Sequence, residues 1–461
     1  MTALALLMTA SLGLATGTAP LETPETADAA SLPAPKAAPA AAIEAAATEA
    51  SRPALSAPVE WTLDDGTTVF LVEDHRVPLV ELRVQVPTGY FHPWFMENGG
   101  QEAFTNQYQD SAGTLRARAD ALAADVAFGV KEQRVFVKLR CLKRDLPDAI
   151  KLLGDILSNT DYDVAQLERD QKSREIEWKS AMKDPESRSG IAILESLFAE
   201  GDARRITATK PPEVVMDVEK LVATRDAMLR MPGRVLGFGG DLTREEAAAL
   251  ADGLLPALVP ELPEGVSPVL HPLQDRPPSL TETMPGLNQV YFSWYRDSVP
   301  WGAPGETALD VANHVLGGHF YSRLNVALRH EGGQTYGARA SAETGTEPRP
   351  YIITTYTRAD NKDATEATLR EVLETFRSEG ITQQELDDTI GYMRGRLLFG
   401  QQAPASVLDE ALWEHGNDRE PGHDAAQVAA AEALTLEEVN AFIASFYDPD
   451  AFTMLVVEPE G

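Results

Sequence analysis

Histidine and carboxylate side chains are the residues of this sequence that could hold a catalytic metal ion. Zinc hydrolysis needs neutral imidazoles and a carboxylate as ligands, and a base that deprotonates the bound water. None of the eight histidines forms a His-Glu-x-x-His motif or its inverse: His75, His92, His271, His314, His319, His330, His415 and His423. His314 and His319 would lie on different helix faces if the helix continued, and Gly317-Gly318 favours its ending. We therefore predict no metal site in this chain.

Other catalytic chemistry has little support in the residue pattern. Glu414, His415 and His423 form a loose cluster of a kind that is common on helix surfaces. No Gly-x-Ser-x-Gly elbow and no phosphate-binding loop occurs. The single cysteine, Cys141, lies in an alternating apolar run, which predicts a buried side chain and excludes an intrachain disulfide.

Composition indicates a soluble globular protein with an acidic surface. A chain of 461 residues predicts two to three domains, and 43% hydrophobic with 24% charged residues is typical of folded proteins. No apolar run reaches the roughly 18 residues of a membrane-spanning helix. The 40 Lys and Arg against 71 Asp and Glu leave a net charge of −31, which disfavours nucleic acid as a partner.

The first residues favour export. An apolar run over 3–15 followed by small residues predicts a signal peptide at 1–19, which implies a periplasmic or secreted protein. The first basic residue is Lys36, so a poor signal or a start upstream of Met1 is the alternative. Residues 20–58 are rich in Ala and Pro and predict a disordered linker.

Alternating apolar residues and turn motifs predict an α+β unit over residues 59–254. Asp64-Asp65-Gly66 between two β-prone segments predicts a hairpin, because Asp-Gly supplies the positive φ angles of a tight turn. The other predicted elements are strands over 80–86, 122–130, 134–142 and 234–238, and helices over 146–157, 164–182, 191–198 and 217–229.

The end of this unit recurs at the end of the chain. Pro232 with the strand at 234–238 matches Pro449 with a strand at 451–455, an offset of 449 − 232 = 217. A strand over 289–294 and a helix over 307–316 repeat its opening. We predict two similar α+β domains at 59–254 and 281–461, joined by a proline-rich linker at 255–280.

Three motifs in this duplicated chain resemble the pitrilysin (insulinase) family of zinc metallopeptidases, peptidase family M16. They are Leu-Asp-Asp-Gly-Thr-Thr-Val at 63–69, Leu-Gly-Gly-His-Phe-Tyr-Ser-Arg-Leu at 316–324 and Leu-Arg-His-Glu-Gly-Gly-Gln-Thr-Tyr at 328–336. The resemblance covers about residues 59–461. It implies two metallopeptidase-like domains, each an antiparallel sheet packed with helices, which together form half of a clamshell.

In the second domain the resemblance implies a substrate-binding role for Arg329 and Tyr336. Both side chains can donate hydrogen bonds to the carbonyl oxygens of an extended peptide or of a tetrahedral intermediate. The alternative is that Arg329 only ends a helix and Tyr336 only begins a strand. Gly317 and Gly318 resemble a glycine-containing loop near the family's cleft, and an ordinary helix C-cap is equally compatible with them.

The first domain departs from the family at its zinc site. Active members carry His-x-x-Glu-His on one helix, and the matching positions here are Ala103, Asn106 and Gln107. Alanine cannot ligate zinc and asparagine cannot act as a base. Glu177 matches the third zinc ligand and Asp170 a supporting carboxylate, although both could simply belong to a solvated charged face with Arg169, Lys172 and Arg174.

Some members of the family divide the work between two chains, and this chain resembles the degenerate partner. We predict a non-catalytic, substrate-binding subunit of a heterodimer, inactive alone and free of metal, with zinc in the partner subunit. The alternative is a scaffold derived from a peptidase, with no role in proteolysis. Half-chains of this kind usually clamp in pairs around a peptide that extends along a sheet edge.

Overall fold

The protein was analysed as a computed structural model that describes residues 55, 57–205, 213–259, 267–342 and 349–460. The predicted signal peptide at 1–19 and nearly all of the linker predicted at 20–58 lie outside the described residues. Residues 260–266 of the linker predicted at 255–280 also lie outside the described residues. The last two residues of that predicted linker, 279 and 280, belong to a strand.

The first half of the chain forms a six-stranded sheet, here called sheet A. Its strands are β1 (Val59–Thr62), β2 (Thr68–Glu73), β3 (Leu79–Val86), β4 (Asp125–Val130), β5 (Val135–Leu142) and β6 (Val235–Gly240). The strand order is β1-β2-β6-β3-β5-β4. The predicted hairpin is confirmed, because β1 pairs with β2 around the Asp64-Asp65-Gly66 turn.

The second half forms a five-stranded sheet, sheet B, of the same design. Its strands are β7 (Ser279–Met284), β8 (Gln289–Asp297), β9 (Ala338–Ala342), β10 (Pro350–Arg358) and β11 (Thr453–Pro459). The order β7-β11-β8-β10-β9 repeats β2-β6-β3-β5-β4. The predicted mixture of two helix-packed sheets is confirmed, but each sheet contains one parallel pair, β2 with β6 and β7 with β11.

The described part of the first half contains eight α-helices. They are α1 (Pro93–Glu97), α2 (Gly100–Thr105), α3 (Thr114–Ala121), α4 (Leu146–Leu157), α5 (Val164–Ala181), α6 (Pro185–Leu197), α7 (Val218–Leu229) and α8 (Arg244–Ala251). The helix predicted over 191–198 begins earlier, at Pro185, because the Asp184 carboxylate accepts the Ser187 N–H as an N-cap.

The described part of the second half contains seven α-helices. They are α9 (Glu306–Asn313), α10 (Arg323–Asn325), α11 (Lys362–Glu379), α12 (Gln383–Gly400), α13 (Pro404–Gly416), α14 (His423–Ala433) and α15 (Leu436–Phe446). The helix predicted over 307–316 is present as α9 followed by a π-helical segment, His314–Gly318. A second π-helical segment covers Val326–Glu331. None of the helices in the described ranges combines the length and apolarity that crossing a bilayer requires.

Each half contributes one helix that packs on the sheet of the other half, and these are called the exchanged helices. Helix α6 of the first half packs on β8 and β11, where Ile193 and Leu197 join a buried cluster with Tyr295 of sheet B. Helix α13 of the second half packs on β2 and β6, where Leu408 and Leu412 join a buried cluster on sheet A. Burying apolar side chains across the halves stabilises their association, so cavities between the halves combine residues from both.

Candidate functional site

The first of the three positions that were compared with the family's zinc motif is part of the hydrophobic core. Ala103, on α2, is fully buried and packs with Tyr162 and Leu167 in one cluster. The Tyr162 hydroxyl donates a hydrogen bond of 2.6 Å to the Ala103 carbonyl oxygen. The space next to this position is therefore occupied by a tyrosine of the same domain.

The other two positions lie in a different type of helix. Helix α2 ends at Thr105, and Asn106–Tyr108 form a 3-10 turn, which rotates Gln107 relative to an α-helical i+4 position. The Asn106 amide donates a bond of 2.6 Å to the Asp170 carboxylate. The Gln107 amide nitrogen donates 2.8 Å to the Phe104 carbonyl oxygen. Each side chain thus bonds within the domain.

Helix α5 presents the other residues that were compared with the zinc site. Asp170 accepts the Asn106 amide, and Arg174 forms an ion pair of 2.5 Å with Glu102, which is 3% exposed. Glu177 accepts a bond of 2.8 Å from the Ser173 hydroxyl on its own helix. Asp170 and Arg174 therefore join α5 to the α2 region, whereas the recorded bond of Glu177 stays on the helix surface.

Two histidines of the second half lie together. The helix ends at Gly318, His319 is extended, and the rings of His314 and His319 stack with centroids 4.7 Å apart. Burial lowers the pKa of both imidazoles. Within the described ranges, no three His, Cys, Asp or Glu side chains are arranged to hold a metal ion.

The remaining candidate groups have structural roles. His415 packs edge-on against Phe70, and the Glu414 carboxylate accepts the backbone N–H of His423 at 2.7 Å. Cys141 is 2% exposed, and burial raises the pKa of its thiol to about 11. Such a thiol is protonated at neutral pH and therefore a poor nucleophile.

Arg329 lies in the π-helical segment Val326–Glu331 and is oriented by an aromatic ring. Its guanidinium carbon is 4.4 Å from the ring centroid of Phe320, a cation–π contact. Among the described residues, no hydrogen bond or ion pair engages the guanidinium. Its donors therefore remain available to a ligand while the ring restricts its position.

Tyr336 is 79% exposed, although its backbone is held in place. The Thr335 hydroxyl accepts the Gly337 N–H and donates to the Gly337 carbonyl oxygen, and the Thr357 hydroxyl donates to the Gln334 carbonyl oxygen. These bonds fix the segment that carries the phenol. An exposed aromatic side chain on a fixed backbone is typical of a contact residue.

The two glycines differ in their surroundings. A Cβ on Gly317 would lie 2.3 Å from the backbone nitrogen of Ala340, so only glycine allows this segment to approach β9. A Cβ on Gly318 would meet only the end of its own helix, the Asn313 carbonyl oxygen at 3.2 Å. Gly317 thus permits close packing against sheet B, and Gly318 ends the helix.

A cavity of about 330 Å³ opens beside Arg329 and connects the two halves. Tyr291, Phe320 and Tyr356 contribute aromatic walls, and Arg339 of β9 forms an ion pair with Glu186 of α6. Sequence reasoning missed Glu186, Arg339 and Phe320. Glu186 and Arg339 are 153 residues apart, and their pairing depends on the exchange of α6.

The edge of sheet B next to this cavity is partly covered. The Asn325 amide accepts the Ala338 N–H at 3.0 Å and donates to the Ala338 carbonyl oxygen at 2.8 Å. A peptide near Arg329 would therefore meet side-chain donors from Arg329 and Tyr336 and the aromatic face of Phe320. This arrangement can bind the carbonyl oxygens of an extended chain.

Comparison with known proteins supports the family resemblance. Residues 216–391 match the family described as the peptidase M16 inactive domain. An uncharacterised zinc protease of Mycobacterium bovis is 24% identical over 344 residues, which cover 72% of this chain and 76% of that protein. Subunit 1 of the mitochondrial cytochrome b-c1 complex of Bos taurus is 22% identical over 265 residues, 55% of this chain. The match spans only about half of that subunit, 54%.

Solved structures show the same fold. The peptidase M16 inactive domain from Pseudomonas fluorescens superposes with a TM-score of 0.73 at 20% identity, covering 88% of this chain and 98% of that one. The periplasmic protease PqqL from Escherichia coli gives a TM-score of 0.70 at 15% identity, covering 88% of this chain and 46% of that one. The family resemblance inferred from the motifs is confirmed.

Proposed function

We propose that this chain, a member of the peptidase M16 family by its fold and its inactive-domain match, is the non-catalytic, substrate-binding subunit of a zinc peptidase heterodimer. In this proposal the partner subunit carries the zinc ion. Arg329 and Tyr336 contribute hydrogen-bond donors to the peptide near that ion.

One contrast supports this function above all. The positions that would hold zinc are buried or bonded within the first domain, as shown by Ala103 and Asn106. Arg329 has no hydrogen-bond or ion-pair partner among the described residues, and Tyr336 is 79% exposed. A chain that retains substrate contacts while its metal positions are filled is what division of labour between two subunits requires.

The local chemistry is consistent with peptide binding. Phe320 restricts the Arg329 guanidinium, and hydrogen bonds of Thr335 fix the backbone on each side of Tyr336. Less conformational entropy is therefore lost at these groups when a peptide binds. Donors aimed at a carbonyl oxygen stabilise it more strongly as negative charge develops there. The pair would thus assist hydrolysis at a metal that this chain does not hold.

The test combines this chain with a zinc-bearing M16 subunit and measures peptide hydrolysis. We expect no turnover by this chain alone and zinc-dependent turnover by the pair. Arg329→Met and Tyr336→Phe should each lower kcat/KM of the pair roughly tenfold to hundredfold. The melting temperature should stay unchanged, since neither side chain is buried. Zinc-dependent hydrolysis by the lone chain would refute the proposal.

A scaffold without a role in proteolysis is the second candidate, and the similarity to a cytochrome b-c1 complex subunit favours it. It predicts that Arg329→Met leaves both assembly and turnover unchanged. For localisation we propose the periplasm or export from the cell, in line with the apolar run near Met1 and with the periplasmic neighbour of similar fold.

A further inference from the structure

A second cavity between the halves, of about 590 Å³, lies on the face of sheet A that α13 covers. Strands β3 and β5 contribute its floor, and α13 contributes Asp409 and Trp413 as one wall. Trp301 and Arg349 enter from loops of the second half. The cavity lies near the turn between β4 and β5. By the shared strand order this is the opposite end of the sheet from the Arg329 cavity, which lies at the starts of β8 and β9.

Positive charge predominates in this cavity although the chain is strongly acidic. Five cationic side chains line it, whereas only Glu132 and Asp409 contribute negative charge. Arg83 pairs with both Glu81 and Asp409 at 2.9 Å, and Lys138 pairs with Asp409 at 2.6 Å, so these two cations are already neutralised. The other three cations are Lys131, Arg134 and Arg349. Across the described ranges, no ion pair joins any of them to a carboxylate.

Two of these cations are incompletely bonded. The Nε of Arg349 is buried and has no hydrogen-bond partner among the described residues. Arg134 donates 2.9 Å to the Gly416 carbonyl oxygen, a neutral acceptor. Burial lowers the pKa of Arg134, which reflects the cost of keeping its charge away from water. Both side chains are half-buried. A partly desolvated cation without an anionic acceptor is costly, and an entering anion would reduce that cost.

The remaining wall is aromatic. Trp301 and Trp413 meet edge to face with ring centroids 5.2 Å apart, and the Phe91 ring lies 5.7 Å from the guanidinium carbon of Arg349. Indole rings pack well against peptide planes and aliphatic side chains. Guanidinium groups beside such a wall suit a carboxylate attached to an organic chain better than a small hydrated ion.

We propose that this cavity binds a peptide through a carboxylate, either an acidic side chain or a free C-terminus. The inference rests on the proposed role of the chain in peptide binding and adds the class of peptide that it selects. A basic subsite in a chain of net charge −31 attracts acidic segments locally while the rest of the surface repels them.

The experiment titrates the purified full chain with four probes by calorimetry at low salt. Three are alanine-based peptides of equal length: one with two internal glutamates and an amidated end, one with a free C-terminus, and one neutral and amidated. The fourth probe is inorganic phosphate. We expect binding of at least one carboxylate peptide, weakened by added salt, and none of the neutral peptide. Comparing the two carboxylate peptides shows whether the cavity binds an acidic side chain or a free C-terminus.

Variants locate the binding site. Arg349→Met and Arg134→Met should each weaken peptide binding at least tenfold, whereas Arg349→Lys should retain most of it because the charge remains. Arg140→Met is the matched control. Arg140 lies on β5, the strand that begins directly after Arg134, but outside the cavity, and it pairs with Asp125. It should bind like the unmodified chain, and circular dichroism checks that each variant is folded.

Several results would overturn the inference. They are equal binding of the neutral peptide, binding of phosphate but of no peptide, and losses as large in Arg140→Met as in Arg349→Met. A negative result in the peptide titration leaves the proposed role of Arg329 intact, because that role is tested by peptide turnover with the zinc-bearing subunit. Conversely, Arg329→Met should leave the titration unchanged.

Discussion

The two halves of this chain share one strand order but differ in how they use their equivalent helices. In the first half, α2 leads into a turn whose polar side chains, Asn106 and Gln107, bond inside the domain. In the second half, α9 leads into the π-helical segment ending at Gly318, after which Phe320 and Tyr321 are exposed. The comparison shows that the same scaffold supports a closed, structural segment in one half and an open, contact-forming one in the other.

The first half also shows how the α2 region is joined to helix α5. Asn106 donates to the Asp170 carboxylate, and Arg174 neutralises the buried Glu102. Buried polar groups require such partners. These contacts join the α2 region to α5, so substitutions there should affect stability more than activity.

The largest expected effect is a loss of stability when the contact between α2 and α5 is removed. Arg174→Met removes the partner of Glu102, which is 3% exposed, and should lower the free energy of unfolding by about 3–5 kcal/mol. Arg169→Met is the control on the same helix, because Arg169 is 58% exposed in its pair with Asp163. It should cost less than about 1 kcal/mol. Urea denaturation measures both, and equal losses would contradict a structural role for the α2 region.

The next effect concerns the open half. Gly317→Ala places a Cβ against the Ala340 backbone and should destabilise the protein by roughly 1–3 kcal/mol. Gly391→Ala in α12 meets no atom within 4 Å and should stabilise the helix by up to about 1 kcal/mol. Thermal unfolding separates the two. If Gly317→Ala were neutral, the close approach to β9 would not be required.

The smallest expected effect is a pH-dependent change in stability at α13, one of the two exchanged helices. Burial, followed by the charges of Asp424 and Glu414, raises the pKa of Glu410 on α13 from 4.5 to about 7. Because the folded state binds this proton more tightly, the contribution to stability is full below pH 4.5 and is lost as pH rises towards 7. Glu410→Gln should therefore be more stable than the unmodified chain above pH 7, by roughly 1–2 kcal/mol.

The control for Glu410→Gln is Glu437→Gln, an exposed glutamate at the start of α15. Denaturation curves at several pH values should show a pH-dependent gain for Glu410→Gln and no gain for the control. A gain for Glu410→Gln that is equally large at pH 4 would exclude titration of this carboxylate as the cause. Helix α6 differs here, because its Glu186 is neutralised by Arg339 of sheet B.

Much of the local structure could be predicted from the residue pattern. The hairpin around Gly66, the helix Leu146–Leu157 and the repeated ending near Pro232 and Pro449 depend on interactions between near neighbours, which periodicity and turn residues report. The start of the helix predicted over 191–198 was wrong, because the Asp184 N-cap begins α6 at Pro185. The contact of Asn106 with Asp170, 64 residues away, could not be predicted from the local pattern.

The sequence by itself determined the repeated domain ending, the family resemblance and the residue types at Ala103, Asn106 and Gln107, because residue identity alone decides whether a side chain can ligate a metal ion. Only the tertiary structure decided that Asn106 meets Asp170, that Glu186 meets Arg339 and that Arg349 faces Trp301 across a cavity. These partners are tens to hundreds of residues apart. Packing of the exchanged helices on the two sheets brings them together, and no local pattern in the chain encodes such contacts.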